Sequence, residues 1–225
     1  MSLQDRLDTL KADFEAGRFP LKPSAHDLET MRRATAELIA GGQAQRALKG
    51  GDRAPEFTLN GPDGKPVSSR ELLHHGPLVA AFYRGAWCPY CNMELQALEA
   101  ALPEIAARGA SLVAISPQTP ANSRKSQRDN KLSFPILSDT GSEVADAFGI
   151  RFPLPDYLIE TYKRFKNDLP AFNADPSWVL PMPARYVIGM DGVIAYAEVN
   201  PDYTHRPDPS ALLPILDRLK TSRAA

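Results

Sequence analysis

Between Pro77 and Ile105 the chain can follow few paths. PLVAAFY (77–83) is an unbroken apolar run with no polar alternation, as expected of a strand buried on both faces. Shortly after it, Cys91, Leu95, Leu98, Leu102 and Ile105 recur every three or four residues, the period of a helix with one buried face. A helix must therefore start at or near Cys88, directly after a strand. Pro89 suits its first turn, where a missing N–H costs nothing, and Pro103 is expected to bend it further along.

The same texture of short apolar runs alternating with helical periods extends from Gly50 onward and predicts an α/β sheet. APEFTLNGPDGKPVSS reads as a strand, a turn at Asp63-Gly64 and a second strand entering at Val67. ASLVAIS is another buried strand, and SEVADAFGI a short helix ending at Gly149. ARYVIGMDGVIAYAEV is the clearest hairpin, with Asp191-Gly192 expected as a two-residue turn. A last helix starts near Asp208-Pro209 and carries Leu212, Leu213, Leu216 and Leu219. Residues 1–49 read as a helical N-terminal extension: Leu3, Leu7, Leu10 and Phe14 share one face, and Ser24 with Asp27 has capping-box spacing ahead of Leu28, Met31, Thr35 and Leu38. Residues 50–225 read as the main domain, with an inserted helical segment at about 151–182. There Leu158, Tyr162, Phe165 and Leu169 form a face expected to serve packing or self-association.

Composition narrows the function. A formal net charge of −1 over 225 residues, with no run of like charges, argues against a nucleic-acid or membrane partner. No apolar segment has the length of a membrane span, the first residues lack the apolar core of a secretory signal, and the expected location is the cytoplasm. In a reducing compartment two cysteines spaced CxxC point to redox or metal chemistry rather than to a structural staple.

Cys88 falls where the first turn of a helix leaves backbone N–H groups unpaired and the helix dipole is positive, so its thiolate should be favoured. Cys91, one turn later on the inward face, should be less exposed and able to attack a sulfur on Cys88. That asymmetry makes Cys88 the nucleophile and Cys91 the resolving thiol. A buried, inert pair is the first alternative. A zinc half-site is the second, but His26, His74, His75 and His205 have no ligand spacing to the pair; no metal and no cofactor beyond the two thiols is expected.

AFYRGAWCPYC resembles the strand-then-CxxC junction of thioredoxins, and its Cys-Pro-Tyr-Cys is typical of glutaredoxins. The surrounding segments resemble peroxiredoxins of the alkyl hydroperoxide reductase and thiol-specific antioxidant family: GDRAPEFTLNGPDGKPVSSRELL is similar to the opening hairpin, ASLVAISPQ to the strand after the active-site helix, FPILSDTGSEVADAFGI to the following stretch, and RYVIGMDGVIAY to the late hairpin. The resemblance implies a thioredoxin-like α/β fold, a central mixed sheet flanked by helices, with peroxiredoxin-type elaborations. It places Cys88 where that family holds its peroxide-attacking cysteine. It implies that a cation facing the thiolate is Arg185, just after Met182-Pro183, with Arg84 as the local alternative. Pro183 resembles the cis-proline that thioredoxin-like proteins set opposite CxxC, and Trp87, Pro89 and Tyr90 would shape the substrate surface. The chain departs from the pattern at Gly85 and Ala81, where the family carries a hydroxyl residue and a proline.

The function implied first is a thiol peroxidase: Cys88 reduces hydrogen peroxide or an organic hydroperoxide, becomes a sulfenic acid and closes a disulfide with Cys91, and a thioredoxin- or glutaredoxin-type donor recycles it. The alternative, favoured by Gly85 and the CxxC core, is a thiol-disulfide oxidoreductase acting on protein or glutathione disulfides. A redox sensor or copper carrier using His205 is a further class. Homodimer formation is compatible with all three.

Overall fold

The computed structural model describes residues 1–224. Its elements run, in chain order, α1 (Leu3–Glu15), α2 (Ala25–Ala40), α3 (Gln43–Arg46), β1 (Thr58–Asn60), β2 (Pro66–Ser68), α4 (Ser69–His75), β3 (Leu78–Phe82), α5 (Pro89–Ala107), β4 (Ser111–Ser116), α6 (Pro120–Asp129), β5 (Ile136–Ser138), α7 (Glu143–Ala147), β6 (Arg151–Pro153), α8 (Asp156–Arg164), α9 (Leu169–Asn173), β7 (Val179–Pro181), β8 (Ala184–Ile188), β9 (Ile194–Val199), a 3-10 turn (Pro209–Leu212) and α10 (Leu213–Ala224).

Seven strands form one mixed sheet in the order β2-β1-β5-β4-β3-β8-β9. β3, β4 and β5 pair in parallel at its centre, and the flanking β8, β9, β1 and β2 pair antiparallel. The two-residue period of β3 explains why it is apolar throughout. Val79, Ala81 and Tyr83 enter the core under α5, while Leu78, Ala80 and Phe82 enter the core on the opposite face. Leu95, Leu98 and Ile105 of α5 press on the first of these cores, joined by Leu3 and Leu7 of α1 and Leu212 and Leu216 near the C-terminus. Burying Leu3 and Leu7 stabilises the docking of α1 by about 1.5–3 kcal/mol each. α5 continues through Pro103 to Ala107.

Both N-terminal helices carry capping boxes: Ser2 with Asp5 on α1, and Ser24 with Asp27 on α2. The Asp27 carboxylate also accepts from Arg164 of α8, which joins α2 to α8. Burial opposes its charge, but the bonds from Arg164 and Ser24 outweigh that and lower its pKa to about 2.

Two sequence expectations change in detail. The Asp191-Gly192 hairpin has a three-residue loop, since Gly189 pairs with Val193 through its N–H at 2.8 Å and Gly192 takes φ +78. Such a loop needs a glycine in the left-handed region at its third position. The segment 151–182 also contains more than helix: Arg151, Phe152 and Pro153 of β6 pair antiparallel with Pro181, Leu180 and Val179 of β7. Its short strands lack alternation and are broken by prolines, so no period reveals them in the sequence.

Candidate active site

The turn from β3 into α5 is built mostly from backbone hydrogen bonds. Tyr83 N–H continues the ladder to the Ile115 carbonyl at 3.0 Å, Cys88 N–H closes a turn onto Gly85 at 3.1 Å, and Asn92 N–H makes the first helical bond back to Cys88 at 3.1 Å. Gln118, fully buried after β4, accepts from Ala86 N–H at 2.9 Å and donates to the Tyr83 hydroxyl at 2.7 Å. Asn92 donates to the Ala86 carbonyl at 2.8 Å. Gln118 and Asn92 were not singled out from the sequence, because a polar residue's partner across a turn leaves no periodic trace.

Cys88 is the N-cap residue of α5, one position earlier than a first helical residue, and Pro89 occupies the first turn. Both cysteines are free thiols. The expected difference in exposure is absent: Cys88 is 1% exposed and Cys91 0%. What distinguishes them is protonation. For Cys88, burial opposes the anion, but a hydrogen bond from the Cys91 thiol, the Arg84 guanidinium, the Cys91 backbone N–H and Arg206 together lower its pKa to about 6. Burial pushes Cys91 up, and the hydrogen bond to Cys88 and the neighbouring negative charge push it further in the same direction. Both shifts favour the negative charge on Cys88 and the proton on Cys91.

Arg84 is 4% exposed and appears in no salt bridge among the described residues. It bonds the Tyr162 hydroxyl, and its guanidinium lies 4.0 Å from the ring centre of Tyr203 and 4.9 Å from that of Trp87. Burial disfavours its charge, but Tyr162 and the two cysteines hold it protonated. Its Nε has no hydrogen-bond partner among the described residues.

Arg185 stands one step away from the thiols. Its Nη2 bonds Glu198 at 2.8 Å and the Pro207 carbonyl at 2.7 Å, and its Nε lies 3.6 Å from Glu94. Glu94 in turn accepts from Nε of Arg206 at 2.5 Å, and Nη2 of Arg206 lies 4.0 Å from the Cys91 sulfur. The relay Glu198–Arg185–Glu94–Arg206 thus delivers to the cysteines a cation that sequence reasoning missed. Glu94 did leave a signal, since it falls on the apolar stripe of α5 between Cys91 and Leu98; Arg206 left none.

The remaining expected residues are divided between two cavities. A cavity of about 360 Å³ is bordered by Arg84, Trp87, Cys88, Pro89 and Tyr90. Tyr90 packs edge-on to Tyr203 at 5.5 Å, and Trp87 edge-on to Tyr162 at 5.4 Å. Pro183 lines a neighbouring cavity of about 290 Å³ that does not include Cys88, with Met31, Arg84, Tyr162 and Tyr203 common to the borders of both. The Met182-Pro183 peptide is trans, like every other peptide bond among the described residues, which corrects the expected cis-proline. Tyr162 and Phe165, expected to serve packing or self-association, border the cavity beside Cys88. His205 is half exposed and pairs with Asp202 at 3.0 Å. Among the described residues no group of three or more His, Cys, Asp or Glu side chains could hold a metal.

The local geometry accounts for the departure at Gly85. Its φ is +149, and a Cβ there would stand 2.5 Å from Nε1 of Trp87. The Trp87 indole fills the space a side chain would need, and its N–H has no partner among the described residues. Gly85→Thr is expected to lower stability by about 2 kcal/mol or more, from backbone strain and the clash together, read as a lower thermal midpoint. It is not expected to raise reactivity toward peroxide.

Fold and thiol pair together define a protein of thioredoxin-like fold with two free cysteines at its strand-to-helix junction. Residues 50–197 match the AhpC/TSA family, and the chain belongs to it. Thiol-disulfide oxidoreductase ResA of Halalkalibacterium halodurans is 34% identical over 118 residues, 52% of this chain and 65% of that protein. Peroxiredoxin Bcp of Escherichia coli is 31% identical over 103 residues, 46% of this chain and 65% of that protein. The matches thus span just under two thirds of the length of these curated relatives. The crystal structure of peroxidoxin BcpB from Mycobacterium tuberculosis superposes with a TM-score of 0.60 at 23% identity, over 77% of this chain and 97% of that one. No helix among the described residues is long and apolar enough to cross a membrane.

Proposed function

We propose that this chain is a thiol peroxidase in which Cys88 and Cys91 carry out the two chemical steps. The Cys88 thiolate attacks the terminal oxygen of a hydroperoxide. A sulfur–oxygen bond forms as the O–O bond breaks, the sulfur becomes a sulfenic acid, and the departing alkoxide takes a proton and leaves as an alcohol, or as water when hydrogen peroxide is the substrate. The Cys91 thiol then attacks the Cys88 sulfur, a disulfide forms, and hydroxide leaves as water with the Cys91 proton. A dithiol donor of the thioredoxin or glutaredoxin type reduces the disulfide and is itself oxidised.

The observation that carries this reading is the placement of the pair, with Cys88 at the N-cap of α5 beside Arg84 on the cavity border and Cys91 one turn on, a setting that lowers the pKa of Cys88 and raises that of Cys91. Family membership and the similarity to a peroxiredoxin Bcp support it. The Arg84 guanidinium, on the border of the cavity with Cys88, offers a cationic group to the oxygens of a bound peroxide where the family's hydroxyl is missing.

A second reading rests on Gly85 and on the similarity to ResA. In it Cys88 attacks a protein or glutathione disulfide, a mixed disulfide forms, and Cys91 resolves it.

Single-turnover oxidation separates the two. Reduced protein mixed with a hydroperoxide is expected to consume one equivalent and yield the Cys88–Cys91 disulfide, while Cys91→Ser is expected to stop at a sulfenic acid that dimedone traps. Oxidation no faster than that of a free thiol, together with rapid reduction of insulin or glutathione disulfide, would replace the first reading with the second.

A further inference from the structure

We infer that Arg206 is the cation of the resolving step, holding the negative charge when it passes to Cys91 as Arg84 holds it on Cys88 before. The inference deepens the proposed function by giving its second step a residue, and it requires only that Cys91 attack a sulfur on Cys88.

Three contacts orient Arg206. Its Nε donates to Glu94 at 2.5 Å, its Nη1 to the His205 carbonyl at 2.6 Å, and its backbone N–H to Oε1 of Gln4 at 2.9 Å. Its Nη2 lies 4.0 Å from the Cys91 sulfur. Cys91 and Glu94 stand three residues apart on α5 and so share a face, and one helix therefore sets both the sulfur and the carboxylate that aims the guanidinium at it. Gln4 of α1 also donates to the Thr204 carbonyl at 3.3 Å, and the Leu3 N–H to Asp208 at 3.4 Å. The N-terminal helix thus clamps the loop that carries Arg206. Gln4 and Arg206 both lie outside residues 50–197, the segment that matches the family.

While Cys88 is a thiolate, Cys91 keeps its proton: burial, the hydrogen bond to Cys88 and the adjacent negative charge all raise its pKa. Once Cys88 is a neutral sulfenic acid or mixed disulfide, the last of these is gone. Burial then stands against two cations, of which Arg206 acts more strongly on Cys91 and Arg84 more strongly on Cys88. Cys91 gives up its proton and attacks; the sulfur–sulfur bond forms as the sulfur–oxygen bond breaks, and the departing hydroxide takes the proton and leaves as water. On reduction a dithiol donor attacks the Cys88 sulfur, and the electron pair of the broken disulfide goes to Cys91, again beside Arg206. The donor's second thiol then releases the Cys88 thiolate, and the donor leaves oxidised. The other titratable groups that act on Cys91 are Tyr83 and Arg84 after β3 and Tyr162 of α8; burial raises both tyrosines and keeps them neutral.

The chain has two cysteines, so Cys88→Ser leaves Cys91 as its sole thiol, free of any charge at residue 88. Its ionisation is followed against pH by the ultraviolet absorbance of the thiolate. Adding Arg206→Gln is expected to raise the midpoint by roughly 1–3 pH units, the effect of losing an opposite charge in contact, and Arg206→Lys to raise it less. Should Arg206→Gln not fold with Glu94 left unpaired, the double variant Glu94→Gln/Arg206→Gln removes both charges of the pair and is expected to raise the midpoint likewise. In the two-thiol chain, disulfide closure is read as the peroxide-independent loss of dimedone-reactive sulfenic acid after one oxidation. Arg206→Gln is expected to slow closure at neutral pH on the order of tenfold, because the thiolate is scarcer and only about half of that loss returns as nucleophilicity. Oxidation of Cys88, timed separately, is expected to slow less. An unmoved midpoint in Cys88→Ser, or an unchanged rate of closure, would overturn the inference. Failure of hydroperoxides to oxidise Cys88 would overturn the peroxidase reading instead, and the titration, which uses no peroxide, would still decide the role of Arg206.

Discussion

Replacing Cys88 with serine is expected to abolish oxidation of the chain by hydroperoxides, and replacing Arg84 with glutamine to slow it on the order of a hundredfold. The second effect separates two roles of one guanidinium. Arg84 is among the groups that lower the pKa of Cys88 to about 6, and removing an opposite charge in contact raises such a value by roughly 1–3 units. The thiolate population at neutral pH then falls. A thiolate of higher pKa is, however, the better nucleophile, with a Brønsted slope of about 0.4–0.5, so nearly half of that loss is returned. Population alone therefore predicts only a modest slowing. A loss near a hundredfold measures instead what Arg84 does for the oxygen that departs as the O–O bond breaks, in a site shielded from water.

The two contributions are read from one experiment. The rate of oxidation by peroxide, followed against pH, should rise through a midpoint of about 6 in the wild type, because the reactive species is the deprotonated one. In Arg84→Gln the midpoint should move upward and the plateau above it should fall. A shifted midpoint with a plateau that does not fall would confine Arg84 to holding the thiolate.

The largest expected loss of stability comes from Glu94. Its carboxylate, 4% exposed, lies between Arg206 at 2.5 Å and Arg185 at 3.6 Å. Glu94→Gln keeps the shape and leaves Arg206 without a carboxylate in a site 3% exposed. Removing one partner of a buried ion pair costs about 3–5 kcal/mol, a large share of the roughly 5–15 kcal/mol that holds a domain together. The measurement is the midpoint of denaturant unfolding of the reduced protein. A second readout tests whether Glu94 also positions charge for the chemistry. With the carboxylate gone, Arg206 acts on the sulfurs undiminished, and the midpoint for Cys88 oxidation should move below its wild-type value. A purely structural role would leave that midpoint in place.

Much of this fold was legible along the chain, and the reason is physical. A buried strand and a one-faced helix write their period into consecutive residues, and PLVAAFY followed by the Cys91–Ile105 stripe forms β3 and α5 with Cys88 at their junction. The capping box at Ser24 and Asp27 and the glycine turns at Gly64 and Gly192 are local in the same way. The β6–β7 ribbon was not legible, since three-residue strands carry no period to read.

Of the residues expected at the site, Cys88, Arg84, Trp87, Pro89 and Tyr90 come together around one cavity, and Cys91 lies buried one turn further along α5. Pro183 borders the neighbouring one, and Arg185 reaches the thiols only through Glu94 and Arg206. Sequence order places Cys91 and Arg206 115 residues apart, and nothing local records their approach.

By itself, then, the sequence determined the buried strand β3, the one-faced helix α5 and the thiols' position at a helix start, because backbone hydrogen bonding and burial repeat over a few residues. Which cations face those thiols, and the walling of the cavity by α1, α2 and α8, were decided only by tertiary structure. Charges act through space in a buried, weakly screened interior, and the partners that balance them there come from distant parts of the chain.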